Sequence, residues 1–382
     1  QWMVHGDADI NMLEFDCRRY LGWADKKYAV ERSIDEYTRQ YATPFPGEEI
    51  NVARKIKTTP IYDHLKKQGA NFIDVYGWEK PKWFSNNDEK EDYSYRRNNS
   101  FNYVKKECEN VHNNVGILDL STFAKFEISG DDSEKFLDRI CSNKIPKKEG
   151  SIILSHMLNE KGRIQSELTI TRFANNCFYA LSSTASEWRD FDWFNNHKNK
   201  NENVKIVNIT NDYGVLVLAG PKSRDVLKDI TSEDVSNENF PWLKGKEIKI
   251  SNIDVKALRI NYLGELGWEL HHRFKDMKNL YEIIMKSGAK YNISNFGTYA
   301  VNSLRLEKAY KGWGSELTGE ISLVESRMER FFNFEKKNDF IGSSALKKIY
   351  DEGAKIKIVY LAVDVDDADP IGNEPVYYNK RL

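Results

Sequence analysis

Two kinds of hydrophobic pattern alternate from about residue 103 to residue 350. Apolar runs typical of strands occupy residues 115–120, 125–129, 152–158 and 164–172. After the second of these runs, Phe136, Leu137 and Ile140 recur at the period of a helix and fall on one face. The alternation of the two patterns predicts an α+β fold.

The order of these elements partly repeats. A strand predicted over 213–219 leads into a helix that starts within 220–224, as the segment 126–134 does about 90 residues earlier. A strand followed by a capped helix, occurring twice, predicts two related subdomains.

The N-terminal part is aromatic and interrupted by prolines. A helix is predicted around 33–41. Further along, Thr59 is the expected N-cap of a short helix, with Pro60 at its first position and Gly69 at its C-terminal end.

Two boundaries are expected along the chain. The polar, charge-rich segment 85–102 follows the N-terminal part. Near the other end, a β run is predicted over 355–365, with a loop over 366–374.

The first residue is Gln1, and the chain stops where a second hairpin strand would begin, so we expect it to be part of a longer protein.

Composition excludes several classes of protein. The 382 residues carry 57 Lys and Arg against 58 Asp and Glu, so no basic excess is present to neutralise a nucleic-acid backbone. Aromatic residues make up 13%, which is too much apolar surface for a disordered chain, and no apolar run approaches the ~18 residues of a membrane span. We therefore expect a soluble globular protein with neither a nucleic-acid nor a membrane partner.

The spacing of the cysteines argues against a metal site. The chain contains Cys17, Cys108, Cys141 and Cys177. They are 91, 33 and 36 residues apart, which suits neither zinc nor an iron–sulfur cluster. No metal is expected at His271-His272 either, because neighbours on a strand point to opposite faces. We expect reduced, mostly buried thiols in a cytoplasmic protein.

Several segments resemble known families. Four segments resemble the folate-binding fold of the glycine-cleavage aminomethyltransferases, the T-proteins. They are residues 116–121 (GILDLS), 157–164 (MLNEKGRI), 262–270 (YLGELGWEL) and 303–307 (SLRLE). The linker region of dimethylglycine and sarcosine dehydrogenases is resembled by residues 41–46 (YATPFP), 60–65 (PIYDHL) and 77–84 (GWEKPKWF). Together these segments span nearly the whole chain in the order that the families have.

The resemblance implies a modular organisation. Residues 1–84 would be the linker of an FAD-dependent oxidoreductase, 85–350 a T-protein-like folate-binding domain of two related subdomains, and 351–382 the start of a truncated C-terminal β-barrel. No GxGxxG follows a strand in this chain, so we expect FAD only in a domain that precedes Gln1.

The resemblance also implies a reaction. In these enzymes a flavin domain oxidises an N-methyl amine, and tetrahydrofolate captures the one-carbon unit as 5,10-methylenetetrahydrofolate. The expected small-molecule partners are therefore folate and an N-methylated amine. Neither the identity of the amine nor the oligomeric state follows from the sequence.

Glu167 is the catalytic residue that the resemblance implies. T-proteins place an acidic residue, often Asp, beside the reactive folate nitrogens, on the strand after the Asn-Glu-x-Gly turn. Glu167 occupies the matching position. A negative charge there would orient the amine nucleophile and stabilise a cationic iminium. The alternative is a solvated acid on the polar face of a strand, beside Thr169 and Thr171.

Tyr262 and Glu269 match the T-protein spacing of two pterin-binding residues, seven positions apart. A carboxylate can accept two donors of the pterin's amide and amino edge, and an aromatic ring can cover its face. The alternative is a β-hairpin with its turn at Gly264-Glu265 and Glu269 on the surface.

Arg305 and Trp313 are the remaining folate-binding candidates. Arg305, in a helix predicted over 298–310, would pair with a folate carboxylate or with Glu269. The alternative is a pair with Glu307 or another nearby acid. T-proteins usually carry a second Arg four residues earlier, where this chain has Val301, so a two-Arg clamp is not expected. Trp313 would stack on the aminobenzoyl ring, with core packing as the alternative.

Two other functions are weighed against the dehydrogenase. A free-standing tetrahydrofolate-dependent aminomethyltransferase or demethylase would lack the linker-like segments of residues 41–84. A non-enzymatic folate-binding protein of the iron–sulfur-assembly type would carry Lys-Gly-Cys after the late helix, where this chain has Lys311-Gly312-Trp313. Both differences favour the dehydrogenase type.

Overall fold

Helices and strands alternate along the chain in the computed structural model, which describes residue 4 and residues 10–86, 89–336 and 339–379. The helices are α1 (Lys26–Arg39), α2 (Tyr62–Lys67), α3 (Ser100–Asn113), α4 (Ser133–Ile140), α5 (Glu187–His197), α6 (Ser223–Ile230), α7 (Met277–Gly288), α8 (Thr298–Glu307) and α9 (Ser343–Glu352). Single turns of 3-10 helix lie at Leu13–Phe15, Cys17–Tyr20, Thr184–Ser186, Phe274–Asp276, Ala289–Tyr291 and Glu329–Phe331. Among the described residues, no helix is both long enough and apolar enough to span a membrane.

The strands are β1 (Ala70–Val75), β2 (Trp78–Phe84), β3 (Val115–Asp119), β4 (Ala124–Ser129), β5 (Ile152–Leu158), β6 (Ile164–Ala174), β7 (Cys177–Ser182), β8 (Lys205–Asn208), β9 (Tyr213–Ala219), β10 (Gly245–Ile250), β11 (Ile253–Leu258), β12 (Gly267–Arg273) and β13 (Ile293–Asn295). β1 and β2 form an antiparallel hairpin. The five-stranded sheet has the order β5-β6-β7-β4-β8, and the six-stranded sheet has the order β10-β11-β12-β9-β3-β13. The short β13 is parallel to β3, and the other paired strands are antiparallel.

The predicted repeat is visible in the two turns that lead from a strand into a helix. Gly130 joins β4 to α4 with φ +118°, and Gly220 joins β9 to α6 with φ +121°. In each turn a serine three residues later donates its N–H to the glycine carbonyl: Ser133 to Gly130 and Ser223 to Gly220, both at 3.0 Å. One such unit belongs to each of the two large sheets.

Helices pack on one face of each large sheet, and α3 and α8 also cover the other face of the six-stranded sheet at β3 and β9. Phe126 and Leu168 of the five-stranded sheet pack with α4 and α5, and Trp268 of the six-stranded sheet packs with α6 and α7. The opposite faces meet where Leu181 of β7 packs on Leu258 of β11. Side chains that alternate away from the two cores therefore point into the space between the sheets.

Three local predictions are wrong. Thr59 does not cap α2, because its hydroxyl donates instead to Asp119 Oδ2 at 2.6 Å. Pro60 is not at the first helical position, because α2 begins at Tyr62 and its N-cap is Ile61. Residues 355–365 form no strand. A strand needs a neighbouring strand for its backbone groups, whereas Ile358 donates its N–H to the carbonyl of Glu325, which lies in a turn.

Candidate functional site

Glu167 lies on β6 directly opposite His156 of β5. Its carboxylate oxygen Oε2 is 3.0 Å from His156 Nε2. The histidine side chain is fully buried, whereas 21% of the Glu167 side chain remains exposed. Glu167 is thus neither fully solvated nor unpaired, and a ligand can still reach its carboxylate.

His156 is a site residue that the sequence analysis missed. Its ring packs edge-on against Phe331, with 6.0 Å between ring centroids, and Nδ1 bonds no residue that the structure describes. A neutral imidazole carries one N–H group. When that hydrogen is on Nε2 of His156, the Glu167 carboxylate can accept it. The only sequence signal for this pair was the register of the hairpin, in which His156 precedes the turn by about as many residues as Glu167 follows it.

Tyr262 lies beside the charged groups Arg305, Glu167 and Glu316. Burial raises the pKa of the Tyr262 hydroxyl, Arg305 opposes that rise, and Glu167 and Glu316 add to it. The hydroxyl oxygen is buried and has no hydrogen-bond partner among the described residues. The fold therefore brings three of the predicted residues, Glu167, Tyr262 and Arg305, into one region.

Arg305 pairs with a nearby acid, Glu316, at 2.7 Å from Nη1 to Oε1. It also donates to the carbonyl of Tyr310 and to the Asn302 side chain, each at 2.9 Å. Glu316 in turn accepts the N–H of Gly312 at 2.8 Å. Within the described chain, Arg305 thus braces the loop after α8 and makes no ion pair with Glu269.

Trp313 packs in a hydrophobic cluster with Ile164 and Leu317. The guanidinium carbon of Arg189 lies 5.8 Å from its ring centroid. Its ring also lines a narrow cleft with Gln165. Trp313 is therefore partly buried, with contacts both to the cluster and to the cleft, and its assignment to the aminobenzoyl ring stays a prediction.

Glu269 lies in the middle of the six-stranded sheet, with Val217 and Leu258 beside it on the neighbouring strands. Only 8% of the residue is exposed, so it is not the surface acid of a hairpin. Its Oε2 is 3.2 Å from His271 Nε2, and His271 Nδ1 is 3.0 Å from the Tyr179 hydroxyl.

The charge of Lys125, on β4, acts on Glu269. Burial raises the pKa of Glu269 to about 8, and Lys125 opposes that rise. Burial likewise lowers the pKa of Lys125 to about 7. The Lys125 ammonium donates to the carbonyls of Ser121 and Phe123 at 2.7 and 2.8 Å. The carboxyl and the ammonium therefore share an enclosed polar environment between the sheets.

Glu167 and Glu269 face the same space from opposite sheets. Glu167 lies on the same face of the five-stranded sheet as Lys125 and Leu181. Leu181 packs on Leu258, the strand neighbour of Glu269. A ligand between the sheets would therefore contact acidic groups from both of them.

No group of His, Cys, Asp and Glu suited to a metal ion occurs in the described part of the chain. The four cysteines are free thiols. Only Cys141 is buried, while Cys17 is exposed, so the prediction of mostly buried thiols is wrong. His271 and His272 do point to opposite faces, because His272 Nδ1 lies 2.9 Å from the Leu270 carbonyl and away from Glu269.

Comparison with known proteins identifies two family models. Residues 61–336 match the GCVT N-terminal domain, and residues 5–59 match the FAD dependent oxidoreductase central domain. The chain is 40% identical over 385 residues to mitochondrial dimethylglycine dehydrogenase of Homo sapiens, covering 100% of this chain and 44% of that protein. It is 30% identical over 329 residues to the aminomethyltransferase of Thermoanaerobacter sp. (strain X514), covering 86% of this chain and 84% of that protein.

A solved structure shares the fold. The glycine cleavage system aminomethyltransferase T from Bartonella henselae superposes with a TM-score of 0.67 and 22% identity, covering 78% of this chain and 75% of that one. The predicted α+β, T-protein-like fold is confirmed, as is the resemblance that the motifs suggested. The chain spans less than half the length of the dimethylglycine dehydrogenase that it matches, 44%.

Proposed function

Since the chain belongs to the family of the GCVT N-terminal domain, we propose that it is the folate-binding part of an N-methyl amine dehydrogenase of the dimethylglycine or sarcosine type. In that role it captures a one-carbon unit on tetrahydrofolate to give 5,10-methylenetetrahydrofolate. The match of residues 5–59 to an FAD-dependent oxidoreductase domain supports the dehydrogenase type. The observation that carries the proposal is the buried Glu269 carboxyl, which faces Glu167 across the space between the two sheets.

The residues present fit tetrahydrofolate. The buried Tyr262 hydroxyl has no partner in the described chain, as expected for a group that bonds a ligand. While Glu269 Oε2 bonds His271, its Oε1 bonds no residue that the structure describes. A pterin edge offers the adjacent N–H donors that a carboxylate accepts.

Each residue has a distinct role in this proposal. Bound tetrahydrofolate supplies the nucleophilic nitrogens. Glu269 accepts the donors of the pterin edge, and Tyr262 lines the same site. Glu167, held by His156, places a negative charge where cationic character develops. Arg305 acts through Glu316 by keeping the loop after α8 in place, and Trp313, a residue of that loop, packs against the cluster that contains Ile164 and Leu317.

Calorimetric titration with tetrahydrofolate tests the assignment of Glu269. Replacing it with Ala leaves the ligand's donors unpaired, which costs ~1.5–3 kcal/mol, or roughly ten- to a hundredfold in Kd. Glu247→Ala is the matched control, because Glu247 lies on the edge strand of the same sheet with 66% of its side chain exposed. Equal Kd values for the two variants would show that Glu269 does not bind tetrahydrofolate.

An aminomethyltransferase without a flavin domain is the second candidate, favoured by the Thermoanaerobacter relative, of which the chain covers 84%. The complete natural protein separates the two candidates. Flavin absorbance and formaldehyde release from dimethylglycine support the dehydrogenase, and their absence supports the aminomethyltransferase.

We further propose a cytoplasmic location on the ground of the four free thiols, to be tested by cell fractionation.

A further inference from the structure

A chain of hydrogen bonds crosses from one large sheet to the other behind Glu269. It starts at Tyr179 of β7 in the five-stranded sheet and ends at Glu269 of β12 in the six-stranded sheet. His271 stands between them, 3.0 Å from the Tyr179 hydroxyl and 3.2 Å from Glu269 Oε2. Tyr179 and His271 are 2% and 1% exposed, so water does not compete for these bonds.

When Glu269 is ionised, the donor and the acceptor are fixed in both hydrogen bonds that link Tyr179, His271 and Glu269. Burial lowers the pKa of His271, so its ring is neutral and carries one N–H. A carboxylate only accepts, which places that hydrogen on Nε2. Nδ1 is then an acceptor, and the Tyr179 hydroxyl donates to it.

Other polar groups near Glu269 are held elsewhere. Lys125 donates to two backbone carbonyls rather than to the carboxylate. Lys256 of β11, which also acts on His271, pairs with Glu247. Tyr213 of β9 lies 6.5 Å from Tyr179 between ring centroids. In the described chain, the side-chain hydrogen bond that holds the Glu269 carboxylate therefore comes from His271.

We propose that His271 and Tyr179 are positioning residues that present Glu269 to the ligand as an acceptor of hydrogen bonds. The inference rests on the proposed function, in which Glu269 binds the pterin edge. It adds a basis for selectivity above the pKa of Glu269, where the carboxyl is ionised: a ligand with two adjacent N–H donors fits, and one that offers an acceptor at either position meets a carboxylate unable to donate.

Two substitutions of His271 separate positioning from packing. In His271→Gln the side-chain amide nitrogen lies near the position of Nε2 and still donates to Glu269. In His271→Asn the amide reaches only the position of Nδ1. We expect the Kd for tetrahydrofolate to stay within about threefold in the Gln variant and to rise about tenfold in the Asn variant.

The control for this comparison is His272→Asn, on the same strand and equally buried but facing the other way. It carries the same loss of packing, and we expect it to keep the wild-type Kd. A second check uses Glu269→Gln as the background, where His271→Asn should weaken binding little further because it acts through Glu269. Equal Kd values for His271→Gln and His271→Asn, with both folded by circular dichroism, overturn the proposal.

Failure of the proposed function has a different signature. If the wild-type chain binds no tetrahydrofolate, the assignment of the ligand is wrong, whatever the variants do. Nitrogen NMR of the histidine side chains then tests the hydrogen-bond chain by itself. The Nε2–H form of His271 is expected above the pKa of Glu269, both in the wild-type chain and in Tyr179→Phe, because the carboxylate still accepts from Nε2 in the variant. A pure Nδ1–H form in the wild-type chain at that pH would refute the chain of bonds.

Discussion

At the scale of single residues, each acid assigned to the ligand is held by a buried histidine. Glu167 bonds His156 across a strand pair, and Glu269 bonds His271 two positions along the same strand. A carboxylate that is oriented before a ligand arrives loses less conformational entropy on binding than a free side chain does. In the proposed site, the two histidines would therefore preorganise the two acids.

Glu167→Gln separates binding from catalysis. The amide keeps the size and hydrogen-bonding capacity of the side chain but removes its charge, so we expect an unchanged Kd for tetrahydrofolate. Methylenetetrahydrofolate formation in the complete enzyme should slow about a hundred- to a thousandfold, while amine oxidation continues and releases formaldehyde. Glu160→Gln, at the exposed turn of the same hairpin, is the control. Product formation at the wild-type rate in Glu167→Gln would show that the charge of Glu167 has no part in the reaction.

The raised pKa of Glu269 predicts how stability depends on pH. Because the folded carboxyl titrates at about 8 rather than at its ordinary 4.5, its contribution to stability is complete below pH 4.5 and is lost as pH rises through about 8. Glu269→Gln cannot ionise, so its Tm relative to wild type should rise between pH 5 and pH 9. Each 1 kcal/mol of that gain corresponds to roughly 1 °C in a chain of this length. Lys125 titrates in both proteins and largely cancels in the difference, and a difference in Tm that is constant with pH would contradict the prediction.

At the scale of elements, the two strand-to-helix turns use glycine for a steric reason. A Cβ at Gly130 would lie 2.2 Å from the carbonyl oxygen of Asn203, and one at Gly220 would lie 2.6 Å from the carbonyl oxygens of Asn114 and Val111. Both glycines also have positive φ. The close approach lets each helix begin directly after its strand, which places a helix over the core face of each sheet.

Gly220→Ala should be strongly destabilising. The added methyl group meets two backbone carbonyls and requires a positive φ, so we expect a loss of ~3 kcal/mol or more in the free energy of unfolding. Gly353→Ala is the matched control, since its φ is +81° but nothing lies within 4 Å of the added Cβ. There we expect only the conformational cost, ~1–2 kcal/mol. Urea denaturation measures both, and equal losses would mean that the contact with the carbonyls is unimportant.

At the scale of the whole molecule, the residues on the two sides of the polar segment at 85–102 share a core. Ile61, Leu65 and Ala70 belong to the same hydrophobic cluster as Val115 and the rest of the six-stranded sheet. Helix α2 and the β1-β2 hairpin therefore stabilise the six-stranded sheet, although they precede the polar segment at 85–102. The domain limits at residues 84 and 350 stay predictions.

Shortening the chain tests this shared core. A chain that begins at residue 85 loses Ile61 and Leu65, which are 0% and 2% exposed, and each buried side chain contributes ~1.5–3 kcal/mol. We expect it to unfold several degrees lower than the full chain, or not to fold. A chain that begins at residue 57 keeps α2 and the hairpin and should retain most of the stability. Equal Tm values for the two shortened chains, measured by circular dichroism, would show that the two parts are independent.

Local properties of the sequence determined most of the elements. The strand predicted over 213–219 is β9, and the pair predicted over 152–158 and 164–172 is β5 and β6. Such elements follow from hydrophobic runs and from turn residues within about ten positions of each other. The opposite orientation of His271 and His272 followed in the same way, from the period of a strand.

Only the tertiary structure decided the partners of the site residues. Tyr179 and His271 are 92 residues apart in sequence, and the packing of the two sheets brings them within 3.0 Å. The burial of Glu269 and its proximity to Lys125 have the same origin, because a carboxylate in an alternating strand looks alike in sequence whether its face meets water or another sheet. Residues 355–365 show the converse, since an apolar run becomes a strand only beside another strand.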